Sequence, residues 1–399
     1  MNFKDFGFHS KVLAGVHAMG FSTPTPIQEK AIGPVMDGDD VLGLAATGTG
    51  KTAAFVLPML HHFSTEKGKG LRGLIIAPTR ELAEQIFQAI EDLGRKTKIK
   101  AITVYGGTKY KPQIRALEAG VDIIVATPGR LIDHMDRGTI DPSNLEILVL
   151  DEADRMFDMG FLPDIRKILG RLPVERQTLL FSATMPSTIR RLAEEILFEP
   201  VNVEIAHSKP VDSVAHALYP VNPMYKTELL LELLKRTSTE SVLVFTRTKA
   251  GAELLGREMK KAGLSVNILQ GDMPQPKRKE ALEGFRDGKV QILVATDIAA
   301  RGLDISMVSH VINYDMPPTV DDYTHRIGRT GRAAKTGDAF TLVTHEDLLV
   351  VKAIEKVLGE EVEIRLLEDF PYPPPPWASL GRGTSKAPGR ARRPGRRRL

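Results

Sequence analysis

Residues 146–156 read EILVLDEADRM. Ile147, Leu148, Val149 and Leu150 form an apolar run without alternation, the mark of a strand covered on both faces. Three carboxylates follow at once, Asp151, Glu152 and Asp154, with only Ala153 among them. Like charges this close repel one another. Acids at the end of a buried strand therefore imply a cation to offset them. In open α/β sheets ligands bind at the carboxyl ends of the strands, which is where these acids stand. Taken only as a helix start, Asp151 or Asp154 would cap RMFDMGFLPDI (155–165).

The same pattern recurs along the chain. LIIAPT, VDIIVATP and RQTLLFSAT read as further strands of a first half, and SVLVFTRT, VNILQGD, VQILVATD and VSHVINYD as strands of a second. Amphipathic stretches such as 79–96 and 248–264 lie between them. Strands alternating with helices predict an α/β fold with parallel sheets and crossover helices, and the pattern occurs twice. Expected domains are 1–207 and 216–369, joined by a linker over 208–215. Residues 370–399 form a tail, with a proline run suited to a stiff polyproline II spacer. A Gly/Arg segment follows that has too few apolar residues to build a core and is expected to be disordered.

Composition sets limits. The chain has 399 residues, 42% of them hydrophobic, and no cysteine. Disulfides and Cys-ligated zinc are excluded, and a reducing, cytoplasmic setting fits. No apolar run approaches the roughly 18 residues that span a bilayer, and the first residues lack a secretory leader's apolar stretch. Net charge is +4, yet residues 381–399 hold eight cations and no acid, so the rest of the chain is net −4. A nucleic-acid site in the body must use placed groups rather than a general field.

AATGTGKT (45–52) follows the strand-like DVLGL and precedes a helix-like apolar run. Ala46, Thr47, Gly48, Thr49 and Gly50 form a loop whose backbone N–H groups suit phosphates at a helix start. Lys51 would reach the β- and γ-phosphates and Thr52 would meet Mg²⁺. The first glycine of the usual pattern is Ala45 here. A phosphate loop calls for a metal to neutralise charge, and Asp151 fits that place. Glu152, one residue on, suits orientation or deprotonation of an attacking water.

The loop and the DEAD sequence together resemble the DEAD-box ATP-dependent RNA helicases, over roughly residues 3 to 345, with details most like the bacterial RhlE type. The resemblance implies two tandem RecA-like domains, ATP and Mg²⁺ as ligands, and RNA, single-stranded or short duplex, as substrate. It further implies local unwinding or remodelling of RNA or RNA–protein complexes, with ribosome-assembly or RNA-degradation proteins as partners and no membrane. The alternative is an ATP-gated RNA clamp with little unwinding. Gln28, closing TPTPIQ (23–28), matches the adenine-reading residue, Phe21 the aromatic that stacks on the base, and Phe3 the isolated upstream aromatic. Asp304 matches a ribose contact. Asp154, Ser182 and Thr184 match the coupling between the acids and the RNA side.

RNA contacts are implied at Pro78, Thr79, Arg80, Gly106, Gly107, Thr127, Pro128, Gly129 and Arg130. In the second half they are implied at Thr246, Arg247, Gln275, Arg278, Thr296 and Arg301. HRIGRTGR (325–332) adds His325 to the catalytic set, and its Arg329 and Arg332 match arginine fingers for the γ-phosphate. Gln270 departs from the family, where His often precedes GD.

Overall fold

The computed structural model describes residues 1–46, 48–205, 214–237, 239–297, 308–330, 337–370, 372 and 385–386. The chain divides into two compact units, with the boundary between His207 and Ser208.

The first unit is built on strands β1 (Val41–Leu44), β2 (Gly73–Ile76), β3 (Ala101–Val104), β4 (Ile123–Ala126), β5 (Ile147–Leu150), β6 (Gln177–Ser182) and β7 (Val201–Glu204). They form one parallel sheet in the order β3-β4-β2-β5-β6-β1-β7. Its helices are α1 (Ser10–Ala18), α2 (Pro26–Asp37), α3 (Lys51–Thr65), α4 (Arg80–Gly94), α5 (Tyr110–Glu118), α6 (Pro128–Asp136), α7 (Ala153–Asp158), α8 (Leu162–Leu169) and α9 (Ser187–Ile196).

The apolar run of β5 is explained by its two faces. Ile147 and Val149 join the cluster that holds Phe55 and Ile86, whereas Leu148 and Leu150 join the cluster that holds Ile165 and Leu192. Successive side chains of a strand point oppositely, so a strand covered twice needs every residue apolar. The stretch 155–165 is not one helix. Gly160 at φ +77 separates α7 from α8, a left-handed turn that glycine adopts without a steric penalty. Neither Asp151 nor Asp154 caps α7; Glu152 does.

The second unit contains β8 (Val214–Pro220), α10 (Lys226–Arg236), β9 (Val242–Thr246), α11 (Lys249–Lys261), β10 (Val266–Leu269), α12 (Gln275–Arg286), β11 (Ile292–Thr296), β12 (His310–Asn313), α13 (Val320–Ile327), β13 (Gly337–Val343), α14 (Leu348–Leu358) and β14 (Glu363–Leu366). The parallel order is β10-β11-β9-β12-β13-β8-β14, and the two-residue β15 (Ser385–Lys386) pairs with the outer side of β14.

Two expected boundaries shift. Val214 and Ala215, read as linker, pair with Gly337 and Asp338 and so begin β8. Phe370, read as tail, is 7% exposed in the core of the second unit, and the Tyr372 hydroxyl accepts from the Leu367 N–H at 2.9 Å. The rest of the tail apart from Ser385–Lys386, residues 208–213 of the linker, Thr47, Arg301, Asp304 and Arg332 lie outside the described residues. Among the described residues no helix is long and apolar enough to cross a membrane.

Candidate functional site

The motifs leave one edge of the first sheet, and each stays bonded to its neighbour as it leaves. Ala45 N–H donates to Ser182 O (3.1 Å), Ala77 to Ala126 O (2.9 Å), Thr127 to Val104 O (3.0 Å) and Asp151 to Ile76 O (3.0 Å). These are ladder bonds one residue past the strands. They fix where each loop starts. Strand order then sorts the loops: those after β3, β4 and β2 carry the expected RNA contacts, those after β5 and β1 the expected nucleotide and metal contacts, and the end of β6 with its loop the expected coupling residues Ser182 and Thr184.

The phosphate loop closes on itself. Lys51 is 6% exposed and its Nζ donates to Ala45 O at 2.9 Å, while Thr49 Oγ1 donates to Ala46 O at 2.8 Å. Gly50, at φ +95, is the N-cap of α3. A Cβ there would lie 2.5 Å from Gln28 Nε2 and 2.9 Å from Thr25 Oγ1. Gln28 is buried; its Nε2 donates to Gly50 O (3.0 Å) and its Oε1 accepts from Thr25 N–H (3.0 Å). That uses one amide proton and one lone pair, leaving one of each for a base edge. Phe21 is 37% exposed and stacks on the buried Phe3, ring centroids 6.2 Å apart. Phe3 thus backs the ring assigned to the base.

The three acids have three different environments. Asp151 is 2% exposed, and burial pushes its carboxyl up to about 7 against the opposing pull of Lys51. Its Oδ1 accepts from Glu152 N–H at 2.9 Å. A carboxylate this buried is stabilised in its charged form only by a nearby cation, and a hydrated metal ion supplies one. Among the described residues no group of three or more His, Cys, Asp or Glu is arranged to hold a metal. Mg²⁺ at a nucleotide takes one or two carboxylates, with water and phosphate supplying the rest, so Asp151 with Thr52 fits it.

Glu152 sits at φ 52, ψ 52, a left-handed conformation that costs a non-glycine residue about 1–3 kcal/mol and persists where surroundings impose it. Its Oε2 meets Arg155 Nη1 at 2.6 Å, with both side chains at most 5% exposed. Asp154 is held hardest. Its Oδ2 accepts from Thr184 N–H (2.8 Å), Thr184 Oγ1 (3.0 Å) and Ala183 N–H (3.2 Å), and its own N–H donates to Ser182 Oγ (3.2 Å). Charge-assisted bonds of this kind are roughly twice as strong as neutral ones. They join the loop after β5 to the loop after β6.

On the other half of the edge, Thr79 caps α4 by accepting from Leu82 N–H at 3.2 Å. Gly107 takes φ +80, and a Cβ on it would overlap the Arg80 guanidinium. Thr127 caps α6, with Pro128 at its first position and Gly129 exposed. Arg130 is turned inward. Its guanidinium donates to Thr108 O (3.2 Å) and Gln113 Oε1 (3.2 Å) and lies 4.0 Å from the Tyr110 ring centre.

In the second unit Thr246 and Thr296 are buried neighbours in register, and Arg247 is exposed. Arg278 donates to Gln270 O at 2.9 Å, and Gln270 Oε1 accepts from Asp272 N–H at 2.6 Å. The residue that departs from the family therefore braces the GD turn with its amide. Gln275 opens α12, His325 is half-buried on α13, and Arg329 is buried.

Three charged residues outside the expected set have structural prominence. Arg155 is one. Arg326 is another: it meets both Asp297 carboxylate oxygens at 2.6 Å, Asn313 Oδ1 at 3.1 Å and Asp315 O at 2.8 Å. Asp315 in turn accepts from Lys226 Nζ (2.6 Å) and Arg247 N–H (2.9 Å), which ties together the ends of β9, β11 and β12. Arg326 stands inside HRIGRTGR, so its position was visible; its inward direction was not.

Comparison with known proteins agrees with this geometry. Residues 25–192 match the DEAD/DEAH box helicase family and residues 225–334 the helicase conserved C-terminal domain. The chain is 43% identical over 362 residues to the ATP-dependent RNA helicase CshA of Listeria monocytogenes, covering 90% of this chain and 69% of that one. It is 43% identical over 364 residues to the DEAD-box ATP-dependent RNA helicase RhpA of Helicobacter pylori, covering 91% and 74%. Among solved structures, S. cerevisiae Dbp5 bound to RNA and ADP BeF3 superposes with a TM-score of 0.81 at 33% identity, covering 91% of this chain and 94% of that one. These bacterial relatives are named CshA and RhpA, so the likeness to the RhlE type stays a reading of the sequence. With both halves matched in order over nine-tenths of its length, the chain belongs to the DEAD-box ATP-dependent RNA helicases.

Proposed function

We propose that this protein hydrolyses ATP in response to RNA and uses the cycle to open short duplexes or remodel RNA–protein complexes. The observation that carries the reading is the sorted edge of the first sheet, with phosphate loop and acids on one half and candidate backbone contacts on the other. In this reading Gln28 and Phe21 select the base and the loop at Lys51 holds the phosphates. Asp151 and Thr52 hold Mg²⁺, which supplies charge neutralisation on the phosphates. Glu152 orients the attacking water and takes its proton, as the water oxygen bonds the γ-phosphorus and the bond to the β-phosphate oxygen breaks. Arg329 and Arg332 are assigned to the transition-state charge, a role worth around 10³ to 10⁵ in rate elsewhere. Asp304 is assigned to the ribose.

Asp154 gives the reading its coupling. It bonds Thr184 and Ser182 directly, and its strand borders β2, whose loop carries Thr79 and Arg80. A change at the acids is thereby felt one strand away from the RNA half. Ribosome-assembly and RNA-degradation complexes are the partner classes this activity would serve.

The test is ATP turnover by the full chain with single-stranded RNA, duplex RNA and DNA of matched sequence, together with strand displacement. RNA should stimulate turnover and DNA should not, because DNA lacks the 2′-hydroxyl. Equal stimulation by DNA, or turnover indifferent to RNA, overturns the reading.

A further inference from the structure

Between the turn after β3 and the start of α6 lies a polar network that the functional reading does not use. Gln113, on α5, is 9% exposed, and His134, on α6, is wholly buried. Gln113 Nε2 donates to Tyr105 O (3.1 Å) and Thr108 Oγ1 (2.8 Å). Its Oε1 faces Arg130 Nη1 (3.2 Å) and His134 Nε2 (2.9 Å). On the far side His134 Nδ1 meets Thr139 Oγ1 at 2.7 Å.

The directions of these bonds can be worked out. Arg130 only donates, so Gln113 Oε1 must be the acceptor and the amide is fixed one way round. His134 Nε2 then carries a hydrogen. Burial and the nearby Arg130 lower the His134 pKa, so the ring is neutral and Nδ1 is left to accept the one Thr139 hydroxyl hydrogen, which it shares with the His134 carbonyl (3.0 Å). One amide and one imidazole tie together three places: the carbonyl before Gly106, the hydroxyl after Gly107, and the helix that begins at Thr127–Arg130. Arg130, whose own guanidinium grips Thr108 O, is the link between them. A buried network with each member satisfied gives rigidity.

We propose that Gln113 and His134 are positioning residues that hold the Gly106–Gly107 turn and the α6 N-terminus in fixed spacing, so that the two bind successive RNA phosphates as one surface. The proposal rests on the reading of these two elements as RNA contacts. Neither residue touches RNA. Their effect is to remove the ordering that RNA would otherwise have to impose on the turn.

The experiment uses the full chain and measures the RNA concentration for half-maximal ATP turnover, turnover at saturating RNA, the KM for ATP and the melting temperature. His134→Leu should raise the half-saturating RNA concentration roughly tenfold, as expected for about 1.4 kcal/mol of lost organisation. The KM for ATP should stay unchanged. His134→Gln, which can still donate to Gln113, should recover most of the affinity. If His134→Leu does not fold, Gln113→Glu serves, since it keeps the acceptor and loses both donors to the turn. Arg80→Ala separates the proposal from the reading beneath it. If Arg80→Ala weakens RNA binding and neither network variant does so once corrected for folded fraction, the proposal is overturned and the RNA reading stands. If none of the variants shifts half-saturation, the RNA reading of this edge falls and the proposal with it. A lowered melting temperature with unchanged half-saturation marks a purely structural network and likewise overturns the proposal.

Discussion

The Glu152 carboxylate and the Arg155 guanidinium stand 2.6 Å apart, one turn along a short helix, and both side chains are buried. The acid assigned to the attacking water is therefore restrained twice, by its left-handed backbone and by its partner. Arg155→Met should leave an unpaired buried carboxylate and lower unfolding stability by about 3–5 kcal/mol. Denaturant midpoints of the two proteins check this; unchanged midpoints would show that the pair contributes no net stability.

Asp154 and Thr184 should behave as one unit. Asp154→Asn turns an acceptor of three donors into an amide, and Thr184→Val removes one of those donors. A double-mutant cycle on stability should give a coupling of about 1–3 kcal/mol. Additive single effects would show that the loops after β5 and β6 are held together by something else.

Gly50 and Gly120 offer a matched comparison. Both have positive φ, +95 and +81, but a Cβ at Gly50 collides with Gln28 whereas one at Gly120 meets nothing within 4 Å. Gly120→Ala should cost only the backbone strain, about 1–2 kcal/mol. Gly50→Ala should in addition displace Gln28 and weaken ATP binding at least tenfold. A fluorescent-nucleotide titration that finds equal affinities for the two variants would contradict the close approach.

Stability should respond to pH in two opposing ways. Burial lowers the pKa of His134, His216 and His310 from 6.5. As pH falls through 6.5 the unfolded chain takes up protons that the native state refuses, so stability declines. Asp151, raised to about 7 from 3.8, works the other way, because the native state gains its proton first as pH falls. Asp151→Asn removes the opposing group and should make the decline between pH 7.5 and 5.5 steeper. Melting temperatures across that range test it, and a slope that becomes shallower would reverse the assignment.

The tail invites a salt titration. Removing residues 381–399 takes away eight cations and none of the motifs, so turnover at saturating RNA should be retained. Single-strand binding loses about 0.7 in log–log salt slope per phosphate neutralised. If half the cations engage, truncation flattens the slope by roughly 3 units. Identical slopes would mean a tail that does not bind RNA.

Much of the fold was legible because burial on both sheet faces forces unbroken apolar runs. β2, β4, β5, β6, β9 and β11 lie inside stretches such as EILVL and VLVF, while β10 (VNIL) and β12 (HVIN) carry Asn267, His310 and Asn313 within shorter apolar runs. The strand β3 (AITV) has only Val104 fully buried, and an edge strand leaves a weaker trace. The break between α7 and α8 followed from one glycine's φ, which composition does not reveal. At the site, residue types and spacing identified loops and acids. The partners did not show: Arg155, Gln113, His134 and Arg326 act through direction, and the same arginine in sequence can face a phosphate or, like Arg130, a carbonyl.

The place of β1 has a consequence for how the chain is made. It is the first strand in sequence but lies between β6 and β7, and the Asp40 carboxylate that precedes it receives the Thr178 N–H from 138 residues away. During synthesis, then, the segment carrying the phosphate loop emerges long before either neighbour and has no edge to pair with. Nascent chains shorter than about β7 should be unable to grip a nucleotide, and ATP should begin to protect the chain from protease only once residue 204 has cleared the ribosome.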